Sequence, residues 1–436
     1  MLGACAHDAA APLAQAPDLA TSASRLSVDM SQVRLTPLTP RHIDPARGVD
    51  PVDVAILAVL NSPELAAKRA AAHVVAAQSF SAGLLPDPQV AFNVDVPDHP
   101  SMAATAYGIS PSIDISALIT HSASLAAARA AEKQANLDLL WSEWSTAEQA
   151  RQYAVTILMN DEKAAVLARM DAELTERARQ SGAAFDRRDV AGAVASADLA
   201  AKLDADMQLA ATRVAADRAR HQLNALIGLT PEARLRLVDS AEPRDPDPAA
   251  VQSALAAVAR RRPDLLALRA GYASQDATLR KSILSQFPLA TLGYSRQRDN
   301  TNVLSNGAFG MLTLPIFNRN QGDIAVQNAT REKLAQEYRA RLDQTVADVA
   351  QARADLAAEN SDLARFEADV PTLGAQARLA RPAFARGDLD SAAYLAIDEA
   401  VLKEVVAMWD TRLARRLADI GLETVLFLPP AEVARP

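Results

Sequence analysis

The chain has 436 residues, and its 45 basic against 53 acidic side chains leave a net charge of -8, a sign that argues against a nucleic-acid partner. Aromatics are 4% and glycines number only 15 while Ala and Leu crowd the sequence, a composition that favours long helix over a Gly-rich nucleotide-binding enzyme. The longest apolar run, around Val54 to Leu60, is too short for a helical membrane span; a β-barrel span stays open, because its period-2 signal escapes a hydropathy window.

Residues 1–50 are rich in Ala, Pro, Ser, Asp and Thr without a sustained period, as expected of an N-terminal tether or a strand-like wrap. Cys5 is the one cysteine, so no intramolecular disulfide staples the fold. Leu2-Gly3-Ala4-Cys5 resembles the lipobox of bacterial lipoproteins, in which small residues precede a cysteine that becomes lipid-modified. That reading predicts a covalent lipid on Cys5; an unmodified thiol near a frayed terminus is the alternative. The basic and apolar segments that precede a lipobox are not among the four residues before Cys5.

From there the chain is a tandem duplication. Val54–Ala70 laid over Ala254–Ala270 aligns Pro63 with Pro263, Leu65 with Leu265 and Arg69 with Arg269, and the same offset pairs Leu84 with Leu284 and Pro88 with Pro288. Further on, Phe185 and Asp189 fall over Phe384 and Asp388, and Ile227-Gly228-Leu229 over Ile420-Gly421-Leu422. The first repeat covers 51–239, a Pro-rich linker 240–248, the second repeat 249–425 and a C-terminal tail 426–436.

Each repeat reads as a helix, two strands, a very long helix, a turn and a second long helix. Val90, Phe92, Val94 and Val96 alternate with polar or small residues, as do Tyr107, Ile109, Ile113 and Ile115. The strands are expected at about 88–97, 104–116, 288–298 and 307–317, the last apolar on both faces. By pleat alternation Asn93, Asp95, Ser112 and Asp114 lie on the polar face, toward a lumen if the other face meets lipid, or toward solvent in an ordinary sheet.

No proline falls between Ser112 and Thr230, and no glycine between Leu118 and Ser181, so a helix of roughly 60 residues, about 90 Å long, can form there. Its seam runs Tyr153, Ile157, Asn160, Ala164, Leu167, Asp171 and Leu174. In the second repeat the seam is Leu342, Val346, Val349, Arg353, Leu356, Asn360 and Leu363, with Pro371 and Pro382 expected to break the helix near its end. The polar members set register or line a channel. Trp141, Trp144 and Trp409 are expected to pack.

Four membrane-length strands cannot close a barrel, since the smallest have about eight, and open edges in lipid would leave backbone groups unpaired. Bilayer contact therefore demands several chains.

Duplicated Pro63-Glu64-Leu65 and Pro263-Asp264-Leu265, the entry Leu84-Leu85-Pro86-Asp87-Pro88, the exit Leu314-Pro315-Ile316-Phe317-Asn318-Arg319-Asn320-Gln321-Gly322 and the helix end Leu226-Ile227-Gly228-Leu229 occur in this order. On these the chain resembles the TolC-type outer-membrane efflux factors over residues 50–425, with the Pro-Ile-Phe-Asn-Arg-Asn-Gln-Gly stretch similar to the heavy-metal efflux branch. The resemblance implies a mainly α fold with a β-barrel portion. Three copies would form a homotrimer with a 12-stranded membrane barrel, continued by a periplasmic α-helical barrel. It implies an outer-membrane channel of a tripartite efflux system in a Gram-negative bacterium, passively passing small molecules or metal cations. Its expected partners are outer-membrane lipid, a periplasmic adaptor (membrane fusion protein) and an inner-membrane pump of the RND type. It also strengthens the reading of Cys5 as a lipid anchor. A soluble periplasmic coiled-coil adaptor or scaffold is the alternative.

No phosphate loop, nucleophile elbow or paired His is present in the sequence, so neither catalysis nor a cofactor is expected, and the six scattered histidines predict no metal site. By the resemblance, the helix–helix turns Ala183–Val190 and Ala383–Asp390 form the periplasmic mouth on which the adaptor docks. Asp186, Arg187, Arg188, Asp189, Arg386, Gly387, Asp388 and Asp390 are the candidate residues there, with Asp189 and Asp388 as helix N-caps the plain alternative. Ala393 and Ala396 stand where the family often carries aspartates, which shifts any acidic constriction to Asp388, Asp390 or Asp398.

Overall fold

The computed structural model describes residues 12–98, 104–239, 247–287 and 289–430. The first repeat runs α1 (Pro51–Asn61), α2 (Pro63–Gly83), β1 (Gln89–Asp95), β2 (Ala106–Asp114), α3 (Ile115–Asp186) and α4 (Gly192–Leu226). The second runs α5 (Pro248–Arg261), α6 (Pro263–Leu284), β3 (Leu289–Arg298), β4 (Leu304–Thr313), α7 (Gln321–Ala385) and α8 (Ser391–Leu426). Ahead of each strand pair there are two helices where one is expected. Ser62 and Arg262 precede prolines whose rings push them into the extended region, both at ψ 122°, and Pro63 and Pro263 then open a new helix as its first residue.

The strands form one antiparallel sheet in the order β1-β2-β3-β4, so the repeats meet at the β2–β3 pair and β1 and β4 are left as edges. Three bounds differ from expectation. β1 has only 7 residues. β2 stops at Asp114, whose carboxylate accepts from the Ala117 amide at 3.1 Å and starts α3, so Ile115 and Ser116 are helical. β4 lies at 304–313 rather than 307–317, in full register with β3.

Cross-strand partners share a face. One face carries Val90, Phe92, Val94, Tyr107, Ile109, Leu292 and Tyr294, with Phe92 73% and Val94 66% exposed. The other carries Asn93, Asp95, Ser112, Asp114, Thr291, Gly293 and Ser295. β4 reads as apolar on both sides because Phe309 sits on this second face, opposite Gly293; a Cβ there would lie 2.4 Å from the Phe309 ring.

The 72 residues of α3 and 65 of α7 make rods of about 108 and 98 Å. α7 is seven residues shorter, and the seven residues 314–320 form a loop between β4 and α7 where β2 runs straight into α3. That loop ends in two left-handed residues, Arg319 and Asn320, and the Asn320 amide donates to the Ser282 carbonyl at 2.8 Å. Pro371 and Pro382 do not break α7. Each removes one helical hydrogen bond, yet α8 holds α7 before Pro371, through Arg412 to Glu367 (2.9 Å) and Arg415 to Asn360, and again beyond Pro382, where Tyr394 stacks on Phe384 at 4.5 Å.

The long seams hold only in part. Ile157, Asn160 and Leu167 are buried on α3. On the corresponding stretch of α7, residues 342–363, the buried positions are Thr345, Val349 and Leu356, while Val346 and Arg353 are exposed. Likewise Gly421 lies inside α8 and does not end it. The true counterpart of the Gly228 turn is Phe427, also left-handed, with Leu229 and Leu428 amides returning to the Asn224 and Glu423 carbonyls at 2.8 and 3.0 Å.

The main core is at the waist of the rods. Val52 to Val59 of α1, Trp144 to Ile157 of α3 and Leu223 to Leu229 at the end of α4 enclose it, together with Leu26, Leu35, Leu38, Ile43 and Val49. Residues 20–49 are therefore a wrap on the core and not a free tether, bridged in parallel at Ala20–Leu229 and Val49–Leu237. Trp144 is fully buried, donates from Nε1 to the Thr424 carbonyl at 3.1 Å and meets Phe427 edge-on at 5.2 Å, so it joins the two repeats. Trp141 packs under the Arg262 guanidinium and Trp409 under that of Arg412. No described helix is long and apolar enough to cross a membrane. Trp144→Ala is expected to lower unfolding free energy by about 3–5 kcal/mol, read from the denaturant midpoint of the helical circular-dichroism signal.

Candidate functional site

Two hairpins, α3–α4 and α7–α8, end in turns of the same build. In the first, the Arg188 and Asp189 amides return to the carbonyls of Phe185 and Ala184 (both 2.8 Å); in the second, Gly387 and Asp388 return to Phe384 and Ala383 (3.0 and 2.9 Å). This is the paired-bond helix ending that needs a left-handed residue, filled by Gly387 at φ 80° and by Arg188 at φ 64°. Arg187 Nε donates to Asp189 at 2.9 Å and Arg386 Nε to Asp388 at 2.8 Å, so each tip holds one exposed Arg–Asp pair.

Asp189 and Asp388 are accordingly not helix caps. The residue before α4 is Ala191, with no side-chain cap, whereas Asp390 caps α8 by accepting from the Ala393 amide at 2.8 Å. Asp186 is the last residue of α3. Of the three carboxylates suggested for an acidic constriction, Asp388 is held by Arg386, Asp390 by the α8 amide, and Asp398 by a buried cluster above the tips.

That cluster has no counterpart among the residues singled out from sequence except Asp398. Arg177 of α3 contacts Asp198 of α4 at 2.8 Å and Asp398 of α8 at 2.5 Å, and donates to the Tyr394 hydroxyl at 2.8 Å. Its guanidinium lies 5.1 Å from the centre of the Tyr394 ring, which stacks on Phe384 at 4.5 Å. Three helices are thus pinned about 15 Å behind the tip of the first hairpin. Burial holds the Asp398 carboxyl above the usual carboxylate range against the pull of Arg177, and raises the Tyr394 hydroxyl as well. Arg177, Tyr394 and Asp398 also line a cleft of about 740 Å³ between the two hairpins. Further up the rod, burial and then the neighbouring Asp206 raise the Asp171 carboxyl, which places it in the α3–α4 contact.

At the other end of the molecule, Asn93, Asp95, Ser112 and Asp114 come together on one face of the sheet, with Asn93 leaning over Gly108. Cys5 lies outside the described residues.

Neither a protein-family model nor a curated protein matches the sequence. Solved structures do match the fold. One, of CusC, described for conformational changes accompanying folding and transmembrane channel formation, is 13% identical over 89% of this chain and 95% of its own, with a TM-score of 0.73. The outer-membrane channel OprN is 14% identical over 94% of this chain and 98% of its own, at 0.74. The Campylobacter jejuni CmeC outer membrane channel is 14% identical over 96% and 94%, at 0.73. At these identities the likeness establishes the fold: over 89–96% of its length the chain is built as these outer-membrane channels are.

Two outcomes follow for the tip. Arg188→Gly relieves a left-handed arginine and should raise stability by about 1 kcal/mol, with Gly387→Arg lowering it by a similar amount, measured by denaturant midpoints. Asp398 binds its proton more readily folded than unfolded. Its contribution to stability is therefore fullest below the unfolded value of about 3.9 and is lost as pH rises through the folded one. Wild type should gain on Asp398→Asn when thermal midpoints are compared on going from pH 7 toward pH 4; parallel curves would contradict the assignment.

Proposed function

We propose that this chain is the outer-membrane channel of a tripartite efflux system, a passive duct through which small molecules or metal cations handed over by a pump leave the cell. The observation that carries the proposal is a sheet with two unpaired edges and a naked apolar face, standing on rods about 100 Å long. Such a sheet is stable in hydrocarbon only when its edges are joined to those of other copies. Two copies would supply eight strands, a bore that side chains fill; three supply twelve and leave room for a conduit. The homotrimer is the assembly the strand count favours, in agreement with the fold shared with outer-membrane channels.

In that assembly the face of Asn93, Asp95, Ser112 and Asp114 lines the lumen and that of Phe92 and Ile109 meets lipid. The rods form the periplasmic extension, and the tips carrying Asp186, Arg187, Arg188, Asp189, Arg386, Gly387, Asp388 and Asp390 receive a periplasmic adaptor coupled to an inner-membrane pump of the RND type. Opening of the mouth requires α8 to leave α3 and α4, so the contacts of Arg177 must break. Cys5, acylated, would anchor the wrap of residues 20–49 to the membrane. A soluble coiled-coil adaptor gains nothing from a sheet that presents Phe92 and Val94 to water.

The test is expression with export, followed by membrane fractionation, crosslinking and planar-bilayer recording. The expected result is extraction only by detergent, a crosslinked trimer and discrete conductance steps. A monomer that stays in the aqueous fraction after export would refute the proposal.

A further inference from the structure

The apolar face of the sheet ends in two arginines. The register places Val94, Tyr107, Arg298 and Leu304 in one cross-strand row and Phe92, Ile109, Arg296 and Asn306 in the next. Both rows lie at the end of the sheet away from the helices: β2 reaches α3 only at Asp114, about 24 Å along the strand from Tyr107. Arg296 is exposed, and the Arg298 guanidinium sits 5.9 Å from the centre of the Tyr107 ring. Neither arginine has a carboxylate partner among the described residues. Asp95 belongs to the opposite face, and Asp299 in the adjoining loop is taken up by the Thr301 and Val303 amides and the Thr301 hydroxyl.

Arginine on a lipid-facing surface is unfavourable unless its charge is met, and the cost falls only near the interface. Here two arginines whose backbones are about 7 Å apart along one strand stand level with Tyr107, Ile109 and Phe92, with Val90, Tyr294 and Leu292 following on the same face toward the helices. A ligand that satisfies both features carries phosphate at one end, which arginine grips through paired N–H bonds, and hydrocarbon at the other. We infer that Arg296 and Arg298, with Tyr107, bind the phosphate of an outer-leaflet lipid whose acyl chains run from Phe92 and Ile109 toward the helices over Val90, Tyr294 and Leu292. The inference rests on the membrane reading above. It adds to it a specific lipid contact on each copy and fixes the depth of the barrel by a charge as well as by apolar area.

The full-length protein is purified in detergent and titrated with a bis-phosphorylated acylated glucosamine disaccharide, with its dephosphorylated counterpart and with inorganic phosphate, and bound lipid is counted by native mass spectrometry. Wild type should retain the phosphorylated lipid at a concentration at least tenfold below that for the dephosphorylated one. The preference should disappear in Arg296→Gln/Arg298→Gln, shrink in each single variant and persist in Gln297→Ala on the opposite face. Equal preference in wild type and the arginine variants overturns the site, as does full displacement of the lipid by millimolar inorganic phosphate. Flotation with vesicles separates the two levels: a wild-type protein that floats yet shows no preference sinks this inference alone, whereas one that never floats sinks the membrane reading with it. The single variants serve where the double variant does not insert.

Discussion

Unpaired main-chain groups along β1 and β4 set the terms for everything else in this molecule. Each edge exposes N–H and C=O groups that water can satisfy and hydrocarbon cannot, at several kcal/mol per group in lipid. An even number of antiparallel strands per copy means that β4 of one chain runs antiparallel to β1 of the next, so closure needs no change of hand or register pattern. In the proposed barrel the alternation of faces would sort itself: the face with Phe92 and Ile109 would turn out and the face with Asn93 and Ser112 in. Phe309 is the instructive exception, tolerated on the polar face because Gly293 leaves it a slot.

The rods pose the opposite problem. A helix of 72 residues cannot be buried along its length in one chain, and the fold concentrates its packing where short helices and the amino-terminal wrap cover α3 and α4. There nearly every side chain of α1 is buried, and Trp144 bridges to the end of α8. Toward the tips the packing thins to alanine, leucine and the Arg177 cluster. Buried ion pairs of this kind add little net stability beyond apolar packing of equal volume, though losing one partner is costly. They suit a contact that holds one arrangement firmly and can exchange it for another.

Much of this architecture is written in local sequence. Pro63 and Pro263 mark the repeat, period-2 runs mark β1 to β3, and the proline-free stretch marks α3. What escapes is whatever depends on a partner far along the chain. Arg177 and Tyr394 are 217 residues apart, and neither interrupts its own helix in a way that announces the other. Pro371 and Pro382 look like breaks because the support α8 gives to α7 is tertiary. The Ile-Gly-Leu match at 420–422 is a coincidence of letters: the backbone equates Gly228 with Phe427, as it equates Arg188 with Gly387, and conformation at those points outlasted the residue that favours it.

The two turns at the ends of the hairpins share their hydrogen bonds, their left-handed residue and their Arg–Asp pair. A ring of three chains would then offer a docking protein six nearly equivalent knuckles, a pseudo-sixfold crown on a threefold body. A partner reading only main-chain shape could occupy all six; one that must choose between alternate knuckles can do so on Arg188 against Gly387, on the acid at Asp186 and on Asp390 against Ala191.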